Sequence, residues 1–345
     1  MINIHTETFA YFFEIQYIHS VFYPDIIMNI LNFTARFPDE ASCIAYLKEQ
    51  REQSGVVCKH CGCREHRRDA NKLSFECRHC HSRQSLRSGT VMEHGKPPFR
   101  YRIAAMFLLT GTKKSFSTEE LRRRLGHKRY QPVWEMSNKL RDVMGKRDER
   151  YLLTGQVEPD GGFFTVGLPQ DKRNEPLKRG HGSQRKANVL VMVESTPSEK
   201  KIKKGRPAKT VGHPKMQVIS DLKSKTITDI VKEQPEPSVE LTADDSTSYV
   251  KFDKHASSHK TVTSGKEAVK VFLPWVHIAI GNARRLLPDV HHKIKGQYLQ
   301  LYLNEFCYKF NRRYFGERLS DRSVLAAITY TTDFRSRTYR RTLCG

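Results

Sequence analysis

Four cysteines in two matching pairs are the first residues of this chain whose types and spacing specify a chemistry. Cys58-x2-Cys61 and Cys77-x2-Cys80, with 15 residues between them, form two tight knuckles of two thiolates each, the spacing that closes around one tetrahedral zinc ion. Four thiolate ligands leave no open position for water, so such a site holds structure and does no catalysis. Cys63 lies near enough to serve as a substitute ligand. Cys43, Cys307 and Cys344 stand outside the pattern, and scattered thiols of this kind fit a reducing, cytoplasmic compartment better than a disulfide scaffold.

A carboxylate is the second candidate. Between Gln156 and Val166 the sequence Gln-Val-Glu-Pro-Asp-Gly-Gly-Phe-Phe-Thr-Val surrounds Asp160 with β-prone residues, as expected of a short strand that projects an acid from its end. The same Asp-Gly-Gly would also serve as a hairpin turn. Farther on, the strand-like runs 189–193, 216–219 and 239–242 alternate with a helical segment at 226–233, and the last run leads into Asp244. The order predicts a mixed sheet with acids at strand ends.

The elements that must position these groups come with a strong charge bias. There are 60 Lys and Arg against 37 Asp and Glu, a formal charge of +23, which suits a polyanionic partner such as DNA or RNA. A solvated basic surface or a membrane-surface protein has the same composition. No run of about 18 apolar residues offers a membrane span. Residues 1–27 are aromatic but broken by acids, without the basic start of a signal peptide. They read as an extension without a folding role, with translation starting at Met28. A helix is expected from Asp39 to Gln53, ahead of the cysteines, giving a zinc-ribbon domain over 28–95.

Residues 96–152 read as helices. Phe99–Leu109 is apolar enough to be buried, Ser117 to Glu120 supplies a capping box, and a third helix spans Val133–Met144. The short connection from Gly126 to Pro132 suggests a helix-turn-helix, with Arg122, Arg123, Arg124, Lys128 and Arg129 placed for DNA phosphates. An ordinary helical linker with a charged face is the plainer alternative. Residues 171–210 hold twelve Lys and Arg against four acids, among them Lys203, Lys204 and Arg206 around a Gly-Arg-Pro core that could enter a minor groove or simply form a basic loop. The core domain is expected over 153–320, followed by a tail from 321. In the C-terminal helix Leu299, Leu303, Phe306 and Phe310 form an apolar stripe that should pack on the sheet, and Glu305 lies off it.

These motifs, taken in order, resemble the ISXO-like insertion-sequence transposases with an N-terminal zinc ribbon. The likeness runs from the cysteine pairs through Ser117-Thr118-Glu119-Glu120-Leu121, Trp134-Glu135-Met136, Gly155 to Asp160, Asp244-x4-Tyr249, His259 and Leu273 to Asn282. It ends in Tyr298 to Phe306 and Phe310-Asn311-Arg312-Arg313. The resemblance implies a multi-domain α+β chain with an RNase H-like catalytic core of the DDE class, in which Asn often replaces the third acid. Carried over by position, the triad is Asp160, Asp244 and Asn282, with Arg284 in the place of a following basic residue. Glu305 competes for the third position, and His259 and His277 read as structural. Two departures stand out: Pro159 where an aliphatic residue is usual, and Gly161 where an acid commonly follows the first Asp.

Two carboxylates and an amide oxygen are hard ligands suited to two Mg2+ ions, beside the structural Zn2+ of the ribbon. The resemblance therefore implies a nuclease and strand transferase that acts on double-stranded element ends, works as a homo-oligomer on DNA, and resides in a bacterial cytoplasm with the nucleoid. A DNA-binding regulator that keeps the ribbon and helices but has lost catalysis is the alternative.

Overall fold

The structure, a computed structural model, describes residues 29–68, 73–168, 170–172, 174–180, 183–198, 209–236, 238–244, 258–262 and 272–335. The proposed extension before Met28 and the basic residues Lys203, Lys204 and Arg206 lie outside this set. In chain order the elements begin with α1 (Ile30–Arg36), α2 (Glu40–Ser54), β1 (His66–Arg68), β2 (Ser74–Cys77), β3 (Arg83–Ser85) and α3 (Phe99–Gly111). There follow α4 (Thr118–Arg124), α5 (Tyr130–Glu149), β4 (Gln156–Thr165), β5 (Lys186–Pro197), β6 (Lys209–Ile219) and α6 (Ser224–Glu233). The last are β7 (Glu240–Asp244), β8 (Ser258–Val262), α7 (Pro274–Val290), α8 (Leu299–Asn311) and α9 (Leu319–Thr329). They fall into two compact units, one of the residues up to Gly111 with Phe315–Thr332, the other of Thr112–Tyr314 with the residues from Asp333.

In the first unit, Asp39 starts α2 through a reciprocal capping box with Ser42, and Gly55, at φ 75°, ends it. Arg51 on α2 is buried and donates to the carbonyls of Leu86 (2.8 Å) and Ser88 (2.6 Å), which fixes the helix to the segment after β3. The carboxylate of Glu40 accepts from the backbone N–H of both Phe99 and Arg100 at 2.8 Å, so α2 caps α3. Phe33 stacks on Phe107 with ring centroids 4.4 Å apart. A tail is expected from residue 321, yet the chain there is α9: Val324, Ala326 and Ala327 are buried, and Asp321 accepts from Tyr46 at 2.9 Å. Its apolar residues recur at helical spacing, a signal the sequence reading passed over.

The second unit is built on a five-stranded sheet in the order β6-β5-β4-β7-β8, antiparallel from β6 to β4 and parallel from β4 to β8. Alternation along the strands gives each face its own core. Phe164, Val166, Val189, Val191 and Val193 meet Val276, Ile280, Leu299 and Leu303 from α7 and α8. Val157, Leu190, Met192, Leu241 and Ala243 meet Ile227 and Val231 from α6. The sheet and its flanking helices confirm a mixed α/β core.

The expected helix-turn-helix region is divided, with α3 in the first unit and α4 and α5 in the second. Ser117 Oγ accepts from the N–H of Glu120, but the Glu120 carboxylate turns to Arg124, so only half of the predicted capping box forms. The third helix is longer than Val133–Met144, and Met136, Leu140, Val143 and Met144 are among its buried residues. Arg141 of α5 is fully buried and pairs with Glu305 of α8 at 2.7 Å. Ser115 Oγ donates to the other oxygen of Glu305 at 2.6 Å. Off its apolar stripe, Glu305 is therefore inside the fold because α8 is covered by α5 as well as by the sheet.

Candidate active site and metal-binding positions

The four cysteines of the two knuckles converge. Their sulfurs all lie within 4.8 Å of one another, with Cys58 and Cys80 at 3.6 Å and Cys61 and Cys77 at 3.5 Å. Tetrahedral zinc with Zn–S bonds of about 2.3 Å needs sulfurs roughly 3.8 Å apart, so the set fits the ion. The thiols are not alike: the N–H of Cys80 holds the Cys77 thiol down at about 6 and the N–H of Cys61 lowers that of Cys58, whereas, against their own N–H donors, burial and the neighbouring sulfurs push those of Cys61 and Cys80 up. Cys63, the possible substitute, is turned to the backbone of Glu65 and does not join the cluster.

In the second unit Asp160 does not project from a strand end and Asp-Gly-Gly is not a turn. Residues 156–165 form one continuous strand, paired with β5 from Val157↔Glu194 to Thr165↔Lys186. The parallel ladder joins Gln156 to Glu240 and Val157 to Leu241. Continued by three residues, that register sets Asp160 opposite Asp244. Because Val157, Leu241 and Ala243 face α6, Asp160 and Asp244 both face the α7 side of the sheet. The ladder runs no further than Val157, and Pro159, which has no N–H to donate, sits between its end and Asp160. The residue that departs from the family pattern thus stands where pairing stops and the acids begin.

Asp160 is held by its surroundings. The Gly161 N–H donates to its Oδ1 at 2.7 Å, and His277 Nδ1 lies 3.4 Å from its Oδ2. Burial pushes its carboxyl above the ordinary value, and so does the neighbouring Asp244, against the pull of His277, the Gly161 N–H and Arg284. A buried carboxyl that a neighbouring acid pushes up is a setting in which a divalent cation is welcome. Gly162 permits the close approach of α7, since a Cβ there would meet Phe164 at 3.0 Å and Ile280 at 3.7 Å. A Cβ at Gly161, on the other face, would meet the end of the Leu222 side chain at 2.9 Å.

The α7 residues that reach this strand are His277 and Arg284, whose Nε donates to the Phe163 carbonyl at 2.8 Å. Asn282 lies on the same helix. At about 100° per residue it lies roughly 140° around the helix from His277, and its Oδ1 accepts from Arg285 at 2.9 Å. Glu305 is engaged by Arg141 and Ser115. The side chain of His259 lies outside the described residues. Sequence reasoning read His277 as structural, and it missed Glu158, a buried acid two residues before Asp160 on the same face.

The basic residues expected on DNA are not equivalent. Arg122 donates to Glu119 at 2.6 and 2.9 Å and to the carbonyl of His127 at 3.0 Å, so it braces the turn after α4. Arg123 and Arg124 pair with Glu119 and Glu120 at 3.3 and 3.1 Å. Lys128 and Arg129 are exposed. The spacing of Glu119 and Glu120 from the three arginines, three and four residues, was the signal for these pairs.

No curated protein matches the sequence. Among solved structures, the Mos1 strand transfer complex shares 13% identity, with a TM-score of 0.25 over 70% of this chain and 82% of that one. The model of the ISXO2-like transposase domain matches residues 152–311. That stretch holds the whole five-stranded sheet with α6, α7 and α8, so it is this part of the chain that is similar to the ISXO2-like transposase domain.

Proposed function

We propose that this chain is a transposase that binds the double-stranded ends of an insertion sequence and cuts and joins DNA there in a Mg2+-dependent reaction. The reading is carried by one observation: β4 and β7 pair in parallel at Gln156↔Glu240 and Val157↔Leu241, a register that, continued by three residues, would set Asp160 opposite Asp244. The strand order, three antiparallel strands continued by two parallel ones, supports an RNase H-like core. Mg2+ ions, two in this reading, supply when bound the charge that activates water or a 3′-hydroxyl and stabilises the leaving oxygen. Asp160 and Asp244 are the carboxylates that hold them. The Gly161 N–H fixes one oxygen of Asp160 and leaves the other toward His277. Arg284 gives the rim a permanent positive charge suited to a phosphate. In this reading α7 acts through His277 and Arg284, and Asn282 steadies Arg285.

Zn2+ held by Cys58, Cys61, Cys77 and Cys80 folds the ribbon. Lys128 and Arg129, with Lys203, Lys204 and Arg206, provide salt-dependent contacts to phosphates. Work on two DNA ends calls for a homo-oligomer assembled on them. The test uses purified full-length protein, Mg2+ and duplexes carrying the element's ends. Asp160→Ala and Asp244→Ala each lower strand cleavage by at least about 10²-fold and leave end binding intact. Cleavage that persists in Asp244→Ala protein overturns the mechanism. A wild-type protein that binds ends and never cuts them is the regulator instead.

A further inference from the structure

β4 presents two acids to α7. Besides Asp160 there is Glu158, only 1% exposed, whose Oε2 accepts from the backbone N–H of Trp275 at 2.9 Å and of Val276 at 3.0 Å. These are the second and third residues of α7, which has no cap of its own: Leu273 makes no side-chain capping bond and Pro274 has no N–H. Glu158 thus stands in for the cap and sets a negative charge at the positive end of the helix dipole. Lys209 balances it, with Nζ 3.5 Å from Glu158 Oε1 and 2.9 Å from the Phe272 carbonyl. The Trp275 indole donates to the Lys209 carbonyl at 2.8 Å.

The geometry ties this cap to the acids. Glu158 and Asp160 emerge from the same face of the strand, about 6.6 Å apart along it. Pinning residues 275 and 276 over Glu158 therefore decides where residue 277 lands, and His277 lands on Asp160. Two turns later Arg284 meets the Phe163 carbonyl, so strand and helix keep step.

We propose that Glu158 is a positioning residue for the two-acid centre: it registers α7 against β4 so that His277 is held on the Asp160 carboxylate. The inference rests on the reading of Asp160 and Asp244 as ligands of divalent cations. Without Glu158 the helix loses its fixed start, and the centre binds cations and turns over less well while its grip on DNA is unchanged.

The test follows Mn2+ uptake by paramagnetic resonance without DNA, together with kcat and KM for end cleavage, in full-length wild type, Glu158→Ala and Glu158→Gln. Asp160→Ala identifies the uptake due to this centre. Glu40→Ala, which removes the comparable cap from α3, controls for a purely structural loss. Glu158→Ala is expected to weaken Mn2+ binding and lower kcat by about 10- to 100-fold with KM for the end unchanged. Glu158→Gln, which keeps an acceptor for the helix N–H groups, falls between, and Glu40→Ala lowers the melting temperature without moving Mn2+ affinity. Wild-type Mn2+ affinity in folded Glu158→Ala protein overturns the proposal. If that variant does not fold, wild-type affinity in Glu158→Gln protein does the same. A wild type with no Mn2+ uptake sensitive to Asp160→Ala overturns the underlying reading itself.

Discussion

In the first unit the candidate metal ligands come from one short segment, Cys58 and Cys61 from one knuckle and Cys77 and Cys80 from the next, with sulfurs within 4.8 Å of one another. In the second unit Asp160 and Asp244 are 84 residues apart in sequence and meet only because β4 and β7 lie side by side in parallel. The ribbon cluster is soft and closed. The acid pair is hard and partly open, since 21% of the Asp160 side chain is exposed. Four soft ligands in a closed shell make structure. Two hard ligands with room beside them leave space for a substrate, and the fold must supply the alignment that the local sequence does not.

The comparison breaks first at the ribbon. Structural zinc carries an apparent binding free energy of about 10–16 kcal/mol, which in small modules is also folding free energy. Cys77→Ser should therefore strip the metal from purified protein, as read by elemental analysis, and weaken end binding, because Cys77 is fully buried with its thiol drawn down to about 6. One zinc per chain retained in that variant removes the four-thiolate assignment.

The second unit is sharpened by Glu305. Replacing it with Ala leaves Arg141 buried and unpaired, which costs about 3–5 kcal/mol. The two tryptophans, Trp134 and Trp275, both belong to this unit, and Trp134 packs on Tyr298 and Phe334 at 5.3 and 5.5 Å. Urea unfolding followed by tryptophan fluorescence thus reads the loss directly. An unchanged midpoint combined with abolished cleavage would instead return Glu305 to the role of third acid.

The two regions were also unequally legible. The knuckles could be read because ligands two residues apart specify their own turn, and α2 could be read to within a residue because Asp39 and Ser42 cap it locally. Asp160 was visible as a carboxylate in a strand. Its position in mid-strand was not, because Gly161 and Gly162 give the same local signal as a turn and only pairing with β5 decides. Glu158 was passed over, and His277 was read only as structural, because their contacts join a strand to a helix more than a hundred residues later. Asn282 was placed by the motif it belongs to, and the structure adds its hydrogen bond from Arg285.

The smallest effect lies within the ribbon, where the two knuckles can be set against each other. Each ends in a residue with positive φ, Gly62 at 73° after Cys61 and His81 at 54° after Cys80. Gly62 donates to the Cys58 carbonyl at 2.9 Å and His81 to the Cys77 carbonyl at 3.0 Å, so both complete the same turn. A left-handed residue with a Cβ costs about 1–2 kcal/mol, and glycine returns about 0.4–1 kcal/mol of that as chain entropy. His81→Gly should therefore stabilise the ribbon by roughly 0.5 kcal/mol; the 3.9 Å approach of exposed His81 to Glu76 adds little against it. Gly62→Ala should destabilise it by a similar or larger amount, and nothing within 4 Å of the new Cβ would add a clash, so the cost is the backbone's alone. Competition for zinc with a colorimetric chelator reads both: affinity rises about twofold in the first variant and falls in the second. Shifts of the same sign in the two variants would mean that the knuckles are not built alike, and that the symmetry of their spacing does not extend to their backbones.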